Sequence, residues 1–343
     1  MRIRFSTGFP YMPVARQLPG GGRRWGDHEF VLDDDSDANS GRFDGWVVFN
    51  DVTDTLSIDC PKERTILLLG EPPSRVDLKP GYAAQFGTVI ACEGVANARH
   101  SQPCLPWWVG LQKSGATEFH AVLTYDDLCR MRHIQKTRRL SIVCSSLDVT
   151  AYHRQRLKFV KRLVEHFGSR IDVFGSAYRP IEDKWHAIAP YRYHVAIENS
   201  ARDHYWTEKL ADAFLGGALP IYCGAPNIDE YFAPESLVSI DILRPGDALR
   251  TIEAVLEADP YETAMPAIWA ARDAVLNRYN VFPAMADVLA GLPASQLRRT
   301  TIRPSAAFAM DMAGRARRAR FLVGELFGRA GFRLAGSLGR MRQ

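Results

Sequence analysis

The sequence predicts an α/β protein built on parallel sheets, because short apolar runs typical of buried strands alternate with amphipathic helical stretches. The clearest unit lies in residues 191–226, where the apolar run 195–197 is followed by a polar turn and a helical pattern. A second run, residues 219–223, completes a strand–helix–strand unit that ends at Gly224. Units of this kind form crossovers in a Rossmann-like sheet. The chain has no GxGxxG motif, so a dinucleotide such as NAD is not expected.

The composition is that of a globular protein with room for two domains, since the chain has 343 residues, 46% of them hydrophobic, and a formal net charge of +4. The pattern becomes more regular near residue 137. We therefore expect an N-terminal domain (1–137), a second domain (138–285), and closing helices with a basic tail (286–343). The six cysteines lack CxxC spacing, which favours free thiols in a reducing compartment. Neither a signal peptide nor a membrane-spanning stretch is found, so the prediction is a cytoplasmic protein.

Residues 1–45 are rich in Gly, Pro and Asp and carry little periodic pattern. Asp33, Asp34 and Asp35 form an acidic cluster within them. Such a cluster either binds a hard cation such as Mg²⁺ or lies in a solvated turn. The turn is favoured, because no apolar strand carries the acids into a pocket.

Strand-like runs follow at residues 46–49, 65–69 and 88–92. The second leads into Gly70, Glu71 and two prolines, which hold the backbone extended after the strand. Glu71 is therefore either a fixed general base or a carboxylate in a surface turn, and its position alone leaves both open.

Two further features precede residue 137. The paired tryptophans Trp107 and Trp108 either stack on the face of a sugar or fill a core. A short helix is predicted over residues 125–133.

Beyond residue 137 strands and helices alternate regularly, with predicted strands at 139–144, 171–174, 195–197, 219–223 and 237–240. An amphipathic helix is expected over residues 153–166. Three further helices are predicted in the later part of the chain, over residues 248–256, 266–276 and 283–292.

The tail from residue 315 is dense in arginine, with Glu325 as its single acid, and its aromatic and aliphatic residues are spaced as on a helix. This mixture favours a peripheral contact of residues 315–343 with an anionic membrane surface. Nucleic-acid binding is the rival for such a tract but is not expected here, and a frayed tail or an oligomer contact is a third possibility.

The strand–helix–strand unit carries polar residues where an α/β fold binds its ligand, at the end of a strand and beside a helix N-terminus. Thr207 can cap that helix, and Lys209 adds a full charge to its positive end. Such a site suits the diphosphate of a nucleotide sugar, whose developing charge requires cations or a metal. The alternative is that Glu208 and Lys209 are ordinary charged residues on a helix surface with no ligand to bind. The spacing of the residues alone favours this alternative.

A longer sequence pattern favours the diphosphate site over the ordinary helix surface. Residues 197–227, IENSARDHYWTEKLADAFLGGALPIYCGAPN, resemble the signature of the α-1,3/4-fucosyltransferases, glycosyltransferase family 10. The stretches at 153–160 and 171–175 are similar to further motifs of that family, and Gly70-Glu71 resembles, more weakly, the acid-bearing turn of its N-terminal domain. The resemblance is good over about residues 139–241, thin before them and absent from the tail.

This resemblance implies a GT-B architecture, in which two Rossmann-like domains face each other across a cleft. The second domain would bind GDP-β-L-fucose and the first an oligosaccharide or lipid-linked glycan acceptor. By position, Arg156, Asn199, Tyr205, Glu208 and Lys209 look like donor contacts, with Lys209 and Arg156 at the diphosphate.

The resemblance also implies an inverting, single-displacement transfer with Glu71 as the base, on a GlcNAc hydroxyl of a lacto-type unit in α-1,3 or α-1,4 linkage. No metal cofactor is required in such a scheme, although a divalent metal could stimulate it. Ile197 and Cys223 replace the Phe and Trp common in the family, which affects packing more than charge. Two alternatives remain, a GT-B transferase of another nucleotide sugar and a catalytically silent nucleotide- or carbohydrate-binding protein. The chain looks like the bacterial type that acts at the cytoplasmic face on lipopolysaccharide or lipid-linked glycans.

Overall fold

Two sheets of largely parallel strands, with helices between them along the chain, confirm the predicted α/β class. The computed structural model describes residues 1–9, 12–76, 78–101, 106–114, 118–176 and 178–309. The predicted membrane contact of residues 315–343 lies outside these residues and stays a prediction. Within the described part of the chain, none of the helices combines the length and the apolar character that crossing a bilayer requires.

The first sheet has the strand order β2-β3-β1-β4-β6-β7-β8, and its strands are parallel except for β2 against β3. Its strands are β1 (Arg2–Thr7), β2 (Arg24–Trp25), β3 (His28–Val31), β4 (Gly45–Phe49), β6 (Thr65–Leu68), β7 (Thr88–Ala91) and β8 (Arg99–His100). A separate strand of this half of the chain is β5 (Leu56–Asp59), and β9 (Leu111–Ser114) with β10 (Glu118–Ala121) forms an antiparallel hairpin.

The second sheet is parallel throughout, with the order β12-β11-β13-β14-β15. Its strands are β11 (Arg138–Val143), β12 (Asp172–Phe174), β13 (Tyr191–Ile197), β14 (Leu219–Cys223) and β15 (Val238–Ser239). The expected strands of this region are all present, and β13 begins four residues before the predicted run at residue 195.

Helices cover the sheets and connect their strands. They are α1 (Pro80–Ala83), α2 (Tyr125–Arg130), α3 (Ala151–Phe167), α4 (Trp185–Ile188), α5 (Glu208–Leu215), α6 (Pro245–Ala258), α7 (Tyr261–Asn277) and α8 (Val281–Ala290). Helix α7 begins before the predicted start at Pro266, which lies inside its second turn. Helix α2 ends at Arg130, before the predicted end at residue 133.

The chain returns to its first half after α7. Val281, Phe282 and Leu289 of α8 are buried in the apolar cluster of the first sheet. Strand β16 (Arg299–Ile302) then pairs antiparallel with β5. The expected division at residue 285 therefore falls within α8, whose whole length packs on the first sheet because its apolar face matches that sheet's core.

The first 45 residues are more regular than their composition indicates. Strand β1 lies in the interior of the first sheet although it contains the charged residue Arg4, which is 1% exposed. The Arg4 guanidinium donates to the carbonyls of Phe5 and Val31 and forms an ion pair with Asp33 at 2.6 Å. A charged residue whose terminal nitrogens are paired in this way disrupts the apolar pattern without disrupting the strand.

The cysteines agree with the expectation from their spacing. Each of the five that lie in the described residues, Cys60, Cys92, Cys129, Cys144 and Cys223, is a free thiol.

Candidate functional site

The N-terminus of helix α5 is built around a buried carboxylate that follows β13 directly. Glu198 is fully buried and accepts two hydrogen bonds from Thr207, from its N–H to Oε1 at 2.7 Å and from its hydroxyl to Oε2 at 2.7 Å. The Thr207 hydroxyl also accepts from the Lys209 N–H at 3.3 Å, which makes Thr207 the N-cap that its sequence position predicts. Strand end and helix start are thereby joined by one side chain.

Glycine is required at the neighbouring turn because the side chains of Tyr222 and Glu198 leave no room for a Cβ atom. A Cβ atom at Gly224 would lie 2.1 Å from the Tyr222 hydroxyl oxygen and 2.5 Å from Cγ of Glu198. The Tyr222 hydroxyl also accepts the Ala225 N–H at 2.9 Å. A side chain at this position would displace groups that fix the start of α5.

Lys209 lies among acidic groups at this helix start. Its ammonium is 3.2 Å from Oε1 of Glu208, 3.5 Å from Oε2 of Glu198 and 3.1 Å from the Thr207 hydroxyl. Burial alone would lower the pKa of Lys209, but Glu208 and Glu198 outweigh it and raise the pKa above its usual range. Lys209 is therefore a firmly charged cation at the positive end of a helix dipole.

Glu208 is the ionised partner of two lysines. Burial acts to raise its pKa, but the ammonium groups of Lys209 and Lys184 outweigh burial and lower the pKa to about 2. The Lys184 ammonium is 3.7 Å from Oε1 of Glu208 and 2.9 Å from Oδ2 of Asp212, one helical turn further along α5.

Arg156 reaches this site from the neighbouring strand connection. It lies in the first turns of α3, which begins with a capping box between Thr150 and His153. Its guanidinium donates to Oδ1 of Asn199 at 2.6 Å and to the Ser145 hydroxyl at 3.1 Å. Its buried Nε has no hydrogen-bond acceptor among the residues that the structure describes.

Tyr205 is 1% exposed and lies in the turn between β13 and α5, where its N–H donates to the carbonyl of Arg202 at 3.1 Å. Burial raises the pKa of its phenol far above the usual value, with nearby acids adding to the effect. The hydroxyl is therefore neutral and retains its proton as a hydrogen-bond donor.

Glu71 lies in the turn that follows β6 of the first sheet. The preceding N–H, that of Gly70, donates to Oδ1 of Asn50 at 2.7 Å, which fixes this turn. Oε2 of Glu71 is buried and accepts no hydrogen bond from the described part of the chain, and Arg75 Nε lies 3.7 Å from it. Burial raises the pKa of Glu71 above the ordinary glutamate value, while Arg75 and Lys209 oppose that shift.

A cavity of about 150 Å³ brings the two halves of the chain together at this point. The second half contributes the start of α5 and the turn before it, and the first half contributes Glu71 with an aromatic wall formed by Phe9, Phe49 and Trp108. The lining residues are Phe9, Met12, Phe49, Asn50, Gly70, Glu71, Pro106, Trp108, Asn199, Tyr205, Thr207, Glu208 and Lys209.

The cavity thus gathers Glu71, Asn199, Tyr205, Glu208 and Lys209, whereas Arg156 stands behind Asn199 and does not line it. Chemically, this is a carboxylate with a raised pKa facing a cationic helix start, an arrangement suited to removing a proton on one side while stabilising negative charge on the other.

The paired tryptophans lie in different surroundings, and stacking of Trp108 on a sugar stays a prediction. Trp107 is 1% exposed and belongs to the core of the second half of the chain, whereas Trp108 lines the cavity.

Sequence reasoning missed the charged groups that support the site from behind. Glu198, Lys184 and Asp212 are among them, and the position of Glu198 directly after a predicted strand is the signal that was available for it. Lys184 offers no such signal, because its partner Asp212 is 28 residues away.

The acidic cluster near the N-terminus is paired with arginines. Asp33 bonds Arg4 at 2.6 Å and accepts the Thr7 N–H at 2.8 Å, and Asp35 accepts from Arg23 at 2.9 Å. The residues that the structure describes contain no group of three or more His, Cys, Asp or Glu side chains arranged to hold a metal ion.

Comparisons with known proteins match part of the chain to a glycosyltransferase family. Residues 134–261 match the model of the glycosyltransferase family 10 (fucosyltransferase) C-terminal domain. An α-(1,4)-fucosyltransferase of Arabidopsis thaliana is 34% identical over 106 residues, 25% of this chain and 26% of that protein. A putative fucosyltransferase-like protein of the same organism is 28% identical over 142 residues, 40% of this chain and 26% of that one.

The α-(1,3)-fucosyltransferase FucT of Helicobacter pylori is 32% identical over 60 residues, 18% of this chain and 13% of that protein. The chain therefore spans about a quarter or less of the length of these relatives. A solved structure of an α1,3-fucosyltransferase with GDP aligns over 82% of this chain and 92% of its own, with 15% identity and a TM-score of 0.45.

Proposed function

We propose that this chain, whose residues 134–261 carry the family 10 fucosyltransferase C-terminal domain, is an inverting fucosyltransferase that uses GDP-β-L-fucose. The proposed architecture is GT-B, with the donor bound on the second sheet and a glycan acceptor on the first. The observation that carries the proposal is the shared cavity, which is lined both by the cationic start of α5 and by Glu71, whose Oε2 accepts no hydrogen bond from the described residues.

The proposed reaction is a single displacement. Glu71 removes the proton of an acceptor hydroxyl as the acceptor oxygen attacks the anomeric carbon of fucose from the face opposite the leaving group. The bond from that carbon to the diphosphate oxygen breaks, and its electron pair leaves with GDP. The negative charge that develops there is stabilised by Lys209, with Arg156 behind Asn199 as a second cation.

The same geometry supports the proposed donor contacts. Asn199, Tyr205 and Glu208 line the cavity next to Lys209 and present one amide, one neutral hydroxyl and one carboxylate. Such groups suit the hydroxyls of a ribose or a fucose ring. The proposed acceptor is a GlcNAc hydroxyl of a lacto-type unit, and the aromatic wall supplies an apolar surface of the kind that a sugar ring packs against.

The direct test is the release of GDP from GDP-fucose by purified protein, with and without N-acetyllactosamine as acceptor. We expect release that is faster with the acceptor and that persists in EDTA, because lysine and arginine supply the charge that a metal would otherwise supply. Consumption of another nucleotide sugar in place of GDP-fucose would overturn the donor assignment. Binding of GDP-fucose without any turnover would favour the silent binding protein.

Two lysine variants test whether GDP binds at the start of α5. Lys209→Ala should weaken GDP binding about 10- to 100-fold, since charge-assisted hydrogen bonds contribute roughly 1.5–3 kcal/mol. Lys161→Ala on the exposed face of α3, where Lys161 lies 3.8 Å from Glu165, should leave GDP binding unchanged.

A further inference from the structure

Segment 107–110 joins the aromatic wall to the β9–β10 hairpin. A buried arginine, Arg16, forms hydrogen bonds with its backbone. Arg16 is 4% exposed and donates to the carbonyls of Trp107 at 2.6 Å and Val109 at 2.9 Å. Its guanidinium also lies over the Trp107 ring, 4.0 Å from the ring centroid. Burial lowers the pKa of Arg16 to about 9, so the group remains a cation at neutral pH.

The opposite side of the same segment is held by carboxylates of the second half. Oδ1 of Asp212 accepts the N–H of Trp108 at 2.8 Å and the N–H of Val109 at 3.0 Å. Oδ1 of Asp183 accepts the next N–H, that of Gly110, at 2.9 Å. Consecutive amides of one segment are therefore bound by two buried acids, in bonds of the charge-assisted kind.

Lys184 connects the hydrogen bonds of Asp212 with segment 107–110 to the candidate site. Its ammonium bonds Oδ2 of Asp212 at 2.9 Å and also lies 3.7 Å from Oε1 of Glu208, a cavity-lining residue. Asp212 and Glu208 lie one turn apart on α5, so Lys184 contacts both the first residue of that helix and the carboxylate that binds the segment bearing Trp108.

We propose that Lys184 and Asp212 are a positioning pair that couples the donor side of the cavity, at the start of α5, to the acceptor-side wall at Trp108. The inference rests on the proposed function, since it assigns the two walls to donor and acceptor. Binding of the donor's diphosphate to Lys209 orders α5, and the ordered helix holds Trp108 in place through Asp212 before the acceptor arrives.

The charges of Lys184 and Asp212 favour a role in positioning the neighbouring backbone over a role in stabilising the fold alone. Burying a lysine–aspartate pair stabilises a fold no better than apolar residues of similar volume would. Charged groups, however, fix the direction and register of their hydrogen bonds, and here the bonds fix the backbone next to a cavity-lining tryptophan. The same ammonium supplies countercharge to Glu208, so a change at one wall is transmitted to the other.

The test measures exchange of the Trp108 and Val109 amide protons with solvent deuterium, at single-amide resolution, with and without GDP. In the wild type, GDP should slow exchange at these two amides about 10-fold, because ligand binding suppresses local opening of the elements it orders. In Lys184→Met the GDP effect should fall below about 2-fold, and Lys184→Arg should restore part of it. The Gly110 amide, bound to Asp183, is the internal reference and should respond less.

Lys136→Met is the matched control, because Lys136 is also a partly buried lysine near α5 but donates to the carbonyl of Gly216, at the other end of that helix, and to the carbonyl of Ala189, which follows α4. That variant should lose stability and keep the GDP effect. An equal GDP effect in wild type and Lys184→Met, or none in a wild type that binds GDP by calorimetry, overturns the proposal. A wild type that does not bind GDP removes the proposed function itself, and the coupling with it.

Discussion

Glu71 is the residue on which the proposed chemistry depends most directly. Glu71→Gln keeps the shape of the side chain and removes its ability to accept a proton, so transfer should fall by at least about 100-fold, the contribution typical of general base catalysis. GDP affinity should change little, because the diphosphate is assigned to Lys209. Steady-state transfer rates and calorimetric titration with GDP measure the two quantities, and transfer at the wild-type rate would remove Glu71 from the mechanism.

The pH profile gives a second measure of the same residue. Burial raises the pKa of Glu71, so the base becomes deprotonated only at a higher pH than an ordinary glutamate, and kcat/KM should fall as pH decreases through that raised pKa. Arg75 is the nearest opposing charge, with Nε 3.7 Å from Oε2. Arg75→Met should therefore move the acid limb to higher pH, and a limb that moves to lower pH would contradict this assignment.

At the scale of elements, the start of α5 depends on one hydroxyl. Thr207→Val removes the N-cap acceptor and one of the two bonds that Thr207 donates to buried Glu198. We expect a loss of about 1–3 kcal/mol in the free energy of unfolding, from the lost cap and an undersatisfied buried carboxylate. Thr207→Ser keeps the hydroxyl and should retain most of the stability. Urea unfolding measures both variants, and equal stability of the Val and Ser variants would show that the cap contributes little.

The elements also show which parts of the molecule a sequence pattern can specify. The strands of the second sheet were predictable because their runs are apolar and end in glycine or polar turns. Strand β1 was not, because Arg4 interrupts its pattern and its partners Val31 and Asp33 lie 27 and 29 residues away. The residues of α5 that line the cavity were identifiable from their helix-start positions and their resemblance to a known motif.

At the scale of the whole molecule, long-range pairing limits what the sequence reveals. The bonds from Asp212 to the Trp108 and Val109 amides span 104 and 103 residues, and the Arg16 bond to Val109 spans 93. Local periodicity carries no information about such contacts. Only the family resemblance predicts that Glu71 and the start of α5 share one cavity. No pattern in the sequence predicts that α8 and β16 pack against the first half of the chain.

Acid stability is a further property of the whole fold, and buried histidines control part of it. His194 in β13 is 3% exposed, and its Nδ1 lies 2.8 Å from the Ser141 hydroxyl in the adjacent strand. Burial lowers its pKa to about 3, and the positive charges of Lys184 and Lys136 contribute in the same direction. The folded protein therefore keeps His194 neutral at pH values where an unfolded chain would protonate it.

The sign of the resulting linkage is fixed by that difference. Below about pH 6.5 the unfolded state binds a proton that the folded state excludes, so His194 lowers the free energy of unfolding by about 1.4 kcal/mol per pH unit down to about pH 3. His194→Gln removes this dependence, so its unfolding free energy should fall less steeply than that of the wild type between pH 6 and pH 4. The exposed His120→Gln serves as the control and should keep the wild-type slope. Denaturant unfolding across this pH range measures the difference, and parallel slopes for wild type and His194→Gln would show that another group dominates the loss of stability in acid.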